Sequence, residues 1–265
     1  MFHNKLRPIS LAMTLFSLIL LTACTAVPAT TTEDFTEISI ADVQHKIGNL
    51  QVDIYSYDPK TTEEGGYFKP VGISFKELMA KHEAERQKPF SHDSLTLNGQ
   101  KLTMSFDTSA GFGKGVVLVQ LDGKTVFSKP YGDEAPVSPL QGLFVIDDKW
   151  AFEMAHINIH TESNVTEIET TGEVIIDGKS MNELYGYSES FGLQSLAGKL
   201  FYLYEKDGKI GLYLDGYHVA TDFTSVPHYG CCSASAFNPR HYHNMIDFFA
   251  SKDKESSFVE ICVSE

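Results

Sequence analysis

The chain has 265 residues and carries 35 Asp and Glu against 21 Lys and Arg, a formal net charge of −14. That balance opposes nucleic acid and anionic lipid headgroups, because each phosphate contact needs Lys or Arg. Hydrophobic residues at 42% suit a packed globular body rather than a disordered chain.

In chain order the first feature is a leader. Lys5 and Arg7 form a basic n-region, and Ile9 through Leu21 form an apolar run too short to span a bilayer as a mature helix. It ends in Leu21-Thr22-Ala23-Cys24. Small residues directly before a cysteine resemble the lipobox of bacterial lipoproteins. The resemblance implies a signal peptide over 1–23, diacylation (palmitate or a similar chain) of the Cys24 thiol, cleavage before Cys24 and acylation of the new amine. It also implies a cell-envelope location, with the membrane as a partner through the lipid anchor. Thr25 rather than Asp follows the cysteine, which by the same resemblance implies the periplasmic face of the outer membrane in a diderm cell. In a monoderm cell it implies the outer leaflet of the cell membrane.

Residues 24–34 read as a tether, since TAVPATTTED after Cys24 has no apolar periodicity. Its ten residues reach at most about 35 Å. Residues 35–93 form an N-terminal segment with strand-like runs at Ile38-Ser39-Ile40 and Val52 to Tyr55. A helix is predicted over 74–88, with Ser74 and Glu77 as a capping box, Ile73 and Leu78 as a staple, and Pro89 as the stop.

Residues 94–265 repeat. Each unit opens with a short strand, a tight turn and a second strand near Lys101, Lys149 or Lys199, spaced by 48 and 50 residues. A third strand in each ends at an Asp-Gly turn, at Asp122, Asp177 and Asp215, a strong hairpin signal. Segments such as Thr125 to Ser128 and His218 to Phe223 supply a fourth strand. A degenerate fourth copy runs from Cys232 to the C-terminus and lacks its last strand, which Val52 to Tyr55 would complete. The expected fold is all-β and mainly antiparallel, a propeller-like array of about four meander units with one N-terminal helix. An open curved meander sheet is the alternative. Four-stranded units at this period resemble β-propeller blades, and the Asp-Gly-Lys hairpins weakly resemble TolB-type repeats.

The densest group of candidate ligands is His228, Cys231, Cys232, His241 and His243. Residues two apart on a strand point the same way, so His241 and His243 have the spacing to share one metal ion with a nearby thiolate. A structural loop is the competing account, and no cofactor is expected. With Cys24 acylated three cysteines remain, so at least one thiol is unpaired within the chain. Cys231 bridges to Cys262 or all three stay reduced as small apolar residues; both readings stand. His156 and His160, four apart on an extended hairpin, are too distant for one ion and read as solvent-facing. Tyr185, Tyr187, Tyr202, Tyr204, Tyr213 and Tyr217 either pack across strands or stack on ligands. No hydrolase elbow, zincin helix or phosphate loop occurs. The expected function is therefore that of a non-catalytic envelope binding module for another envelope protein or a glycan, with no nucleic acid. A glycan or ester hydrolase and a metal- or redox-responsive lipoprotein are the alternatives.

Overall fold

The computed structural model describes residues 32–57, 94–107, 114–131, 140–162, 165–229 and 238–264. The leader, Cys24 and the helix predicted over 74–88 lie outside them, as do Cys231 and Cys232.

The N-terminal part contributes β1 (Glu37–Ile38), α1 (Ile40–Lys46) and β2 (Leu50–Tyr57). Of the expected Ile38-Ser39-Ile40 run only Ile38 is strand, paired with Val219. Ser39 instead turns the chain into a helix: its hydroxyl accepts the Asp42 N–H at 3.1 Å and the Asp42 carboxylate takes the Ser39 N–H, a reciprocal capping box. Those hydrogen bonds hold the exposed Asp42 carboxyl below its usual range.

Four antiparallel meander sheets follow. Sheet 1 is β3 (Ser94–Leu97), β4 (Gln100–Asp107), β5 (Gly115–Leu121) and β6 (Lys124–Tyr131). Sheet 2 is β7 (Leu140–Ile146), β8 (Lys149–Glu162), β9 (Val165–Ile176) and β10 (Lys179–Ser180), followed by the short helix α2 (Met181–Tyr185). Sheet 3 is β11 (Glu189–Leu196), β12 (Lys199–Lys206), β13 (Lys209–Leu214) and β14 (Tyr217–Ala220), with β1 added in parallel to its edge. Sheet 4 is β15 (Arg240–His241), β16 (Met245–Lys252) and β17 (Glu255–Val263), completed by β2. The last pairing is antiparallel from Leu50↔Val263 to Tyr57↔Ser256, so an N-terminal strand supplies what the fourth unit lacks. The all-β, mainly antiparallel reading holds.

The repeat is written in the turns. Asp122-Gly123, Asp177-Gly178 and Asp215-Gly216 all take positive φ at both positions, the geometry of a two-residue turn whose twist matches its strands. The N–H groups of Asp122, Asp177 and Asp215 donate to the carbonyls of Lys101, Trp150 and Leu200 at 2.8–3.0 Å. This equivalence corrects the lysine alignment: Gln100, not Lys101, matches Lys149 and Lys199, so the structural spacing is 49 and 50 residues. The longest hairpin, β8–β9, pairs from Ala151↔Ile176 to Glu162↔Val165.

Alternating side chains of each strand feed opposite faces, and the apolar faces pack sheet on sheet. Sheets 1 and 2 share a core around Leu102, Val117, Leu143 and Phe152. The other face of sheet 2 meets sheet 3 through Ala151, Val174, Tyr202 and Tyr204. The far face of sheet 3 packs on sheet 4 and α1 through Phe191, Phe201, Leu212, Phe248, Ile261 and Val43.

Candidate functional site

The opening strands β3, β7, β11 and β15 all reach one cavity of about 650 Å³. Leu95 lines it from sheet 1, Leu140 and Leu143 from sheet 2, Phe191 and Leu193 from sheet 3, and His241 from sheet 4. Its size is within the range of small-molecule sites, which favour apolar walls with few polar groups.

Two of these strands carry an irregularity. The ladder register shifts between Gln141 and Leu143 in β7, and between Phe191 and Gln194 in β11. Gly142 and Gly192 sit at the shifts with φ of 74° and 67°, a region that glycine enters without the cost of a side chain. A bulge leaves ladder N–H groups unpaired. Glu153, reaching from β8, takes the Leu193 N–H on Oε2 at 2.8 Å, and Tyr229 donates its hydroxyl to Oε1.

Burial therefore pushes the Glu153 carboxyl up to about 7. The Tyr229 hydroxyl, the Leu193 and Gly192 N–H groups and the charge on His228 all oppose that shift without overcoming it. Burial, followed by the charge of Glu153, raises Tyr229.

Beside them His228 stacks face to face on Phe191, ring centroids 3.6 Å apart and planes 3° from parallel. Its Nδ1 lies 2.7 Å from the Val226 carbonyl and its Nε2 lies 3.2 Å from Glu189 Oε2. Both ring nitrogens face acceptors, which suits the doubly protonated imidazolium. Burial works against that charge, but the hydrogen bond and charge of Glu189, with the Val226 carbonyl and Glu153, raise the His228 pKa overall.

Glu189 Oε2 also accepts the Gly172 N–H at 3.2 Å, tying β9 to β11. A Cβ at Gly172 would collide with the Ser190 carbonyl and come within 2.7 Å of the Tyr229 hydroxyl. Only glycine fits there.

Gln194 also lines the cavity. It is 3% exposed, and neither Nε2 nor Oε1 has a hydrogen-bond partner among the described residues. Leaving such a buried group unsatisfied costs about 1–3 kcal/mol.

Of the candidate ligands, His228, His241 and His243 all border this cavity. They do not share a strand face as expected. β15 ends at His241, Tyr242 is buried, and His243 is exposed at the turn into β16, its carbonyl accepting the Ala197 N–H at 2.9 Å. Among the described residues no three His, Cys, Asp or Glu side chains are gathered to hold a metal ion. The thiols of Cys231 and Cys232 in that proposed set, and the Cys231 end of the disulfide reading, lie outside the described residues. Cys262 is half-buried on β17, in register with Met245 and Gln51.

The structure also places His156 and the tyrosines of the third unit. His156 is half-buried and engaged rather than simply solvent-facing: its Nε2 lies 2.8 Å from Glu173 Oε2, and Lys129 Nζ reaches the same carboxylate at 2.6 and 2.8 Å. Burial of Glu173 raises its pKa, but the hydrogen bonds from His156, Lys129 and Ser180 outweigh it and bring the carboxyl down to about 2. Of the two readings of the third-unit tyrosines, packing holds for Tyr187, Tyr202 and Tyr204, while Tyr185, Tyr213 and Tyr217 are half-buried. Tyr202 and Tyr204 are fully buried, Tyr187 stacks on Tyr204 at 4.3 Å, and Phe35 of the tether end stacks on His218 at 3.8 Å. Burial brings the His218 imidazole down to about 4, helped by the Lys206 charge.

Sequence reasoning missed Glu153, Glu189, Gln194 and Tyr229. One signal was present: Glu153 is the lone charge inside the buried run Trp150 to Ala155. No protein-family model matches the chain, and no curated protein matches it.

Proposed function

We propose that this chain is a lipid-anchored protein of the bacterial cell envelope, held by acylated Cys24, whose body binds a ligand and does not transform it. The body is read as a four-bladed propeller-like ring in which β2 completes the last blade. Support for that reading comes from β2 closing sheet 4 and from four opening strands bordering one cavity. The observation that carries binding is that cavity, with polar groups set into an apolar wall.

The polar groups favour binding over catalysis because they are already committed inside the protein. Glu153 uses one oxygen on Leu193 and the other on Tyr229, and Glu189 is held by Gly172 and His228. A general acid needs a carboxyl directed at substrate. One observation favours the hydrolase as a second reading: a carboxyl lifted to about 7 on the cavity wall is in the range useful to an acid catalyst.

The test uses wild-type protein and Ser195→Trp, which fills the cavity from β11. Both are equilibrated with a small-molecule extract of the source envelope, washed, and examined by mass spectrometry. Retention of an unaltered ligand by wild type alone supports binding. Release of a converted product, lost in Glu153→Gln, supports the hydrolase; no retention and no conversion removes both.

A further inference from the structure

The cavity also constrains the chemistry of what it holds. No Lys or Arg is among the described residues that line it, and the His228 imidazolium on its wall already faces the Glu189 carboxylate at 3.2 Å, so no uncommitted cation there meets a phosphate or carboxylate ligand. Its walls are built from Leu95, Leu140, Leu143, Phe191 and Leu193, which suit the C–H face of a ring.

Gln194 belongs to the same wall, and its amide, a donor and an acceptor a short distance apart, lies sealed just behind it with no partner among the described residues. A buried amide with no partner is a cost to the fold, so its persistence at a cavity wall points to a partner that arrives from outside. Adjacent hydroxyls are the natural complement, because each hydroxyl both donates and accepts.

We propose that this cavity is a saccharide site, taking a neutral polyhydroxylated ligand of one or two rings whose neighbouring hydroxyls pair with Nε2 and Oε1 of Gln194. In the free protein both atoms are sealed from solvent, so ligand entry turns the amide toward the cavity. A volume of about 650 Å³ accommodates a ligand of that size. The inference rests on the binding reading above and narrows it to one ligand class.

The probes are cellobiose, N,N′-diacetylchitobiose, digalacturonic acid and the tripeptide amide Ala-Phe-Ala-NH2, each followed by saturation-transfer NMR against the full chain. At least one neutral disaccharide is expected to bind with Kd below about 10 mM, and neither the anionic sugar nor the peptide. Gln194→Leu is expected to weaken that binding about tenfold or more while its melting temperature stays level or rises. A Gln194 that merely supported the fold would lower the melting temperature instead. Ser195→Trp, which keeps Gln194, is expected to block the disaccharide as well.

Binding of the peptide or digalacturonate in place of the neutral sugars overturns the proposal, as does full affinity in Gln194→Leu. Absence of binding by either neutral disaccharide also overturns it. If wild type still retains a ligand from the envelope extract in that case, only the saccharide assignment is lost; if it retains none, the binding reading fails with it.

Discussion

The carboxylate of Glu153 in sheet 2 accepts the backbone N–H of Leu193 in sheet 3 at 2.8 Å, across the seam where the β11 bulge leaves that N–H without a ladder partner. One side chain thereby satisfies a strand irregularity, receives Tyr229 and forms part of the cavity wall.

Burial of this carboxyl, which outweighs the contact with Leu193, makes stability depend on pH. Glu153 rises from 4.5 to about 7 on folding, so the native state holds its proton more tightly and the contribution fades as pH climbs from about 4.5 to 7. The loss is about 3 kcal/mol. His228, also raised, contributes below its unfolded value of 6.5 and loses that contribution as pH climbs through its folded value, in the same direction. Urea unfolding at pH 5 and pH 8 is expected to show the lower stability at pH 8, and Glu153→Gln to remove more than half of the difference. An equal difference in the variant contradicts the assignment.

Glu173 works at the other end. Its carboxyl falls to about 2, so its contribution is present above 4.5 and is lost as pH falls toward 2. Glu173→Gln is expected to cost about 2 kcal/mol at pH 6 and to leave stability nearly level from pH 4.5 to 2, in the same urea series.

Gly172→Ala is expected to destabilise by at least about 3 kcal/mol, because the added methyl meets the Ser190 carbonyl, the Tyr229 hydroxyl and the Phe191 Cβ at once. Gly123→Ala is the control. It meets no atom within 4 Å and suffers only its φ of +81°, about 1 kcal/mol. Thermal denaturation of the pair separates steric collision from backbone strain; equal losses would remove the close-packed seam from the account.

Much of the architecture was readable because it resides in local chemistry. Asp122-Gly123 and Asp215-Gly216 announce their turns in two letters, and the apolar runs of β12 and β16 announce buried strands. Ile38 and Ile40 as a lone β-branched pair suggest a strand, whereas the capping box of Ser39 and Asp42 starts a helix at Ile40. The cavity was not readable, since Leu95, Leu143, Phe191 and His241 meet only through packing of four sheets. Glu153 was visible as a charge in an apolar run, but its partner Tyr229 lies 76 residues away. The ion-pair partners of His156 are not legible, because nothing local reveals Glu173 on the paired strand or Lys129 in the neighbouring sheet.

Phe35 binds the tether end to sheet 3, stacked on His218 with Lys206 Nζ 4.4 Å from its centroid. Phe35→Ala is expected to cost about 2 kcal/mol and to expose the chain near residue 34 to limited proteolysis. Unchanged proteolysis would mean that β1 pairing alone holds the segment.

Cys24→Ser is expected to move the protein from the membrane to the soluble fraction, since each buried acyl methylene contributes about 0.8 kcal/mol and a net charge of −14 opposes anionic headgroups. Equal partitioning of the two forms would remove the anchor.

The most direct measurement is native mass spectrometry of the protein purified from the cells that make it, wild type beside Ser195→Trp. The account predicts a non-covalent ligand mass on the wild type and none on the variant. The same bound mass on both forms, or none on either, would contradict a binding site at the meeting of the four sheets.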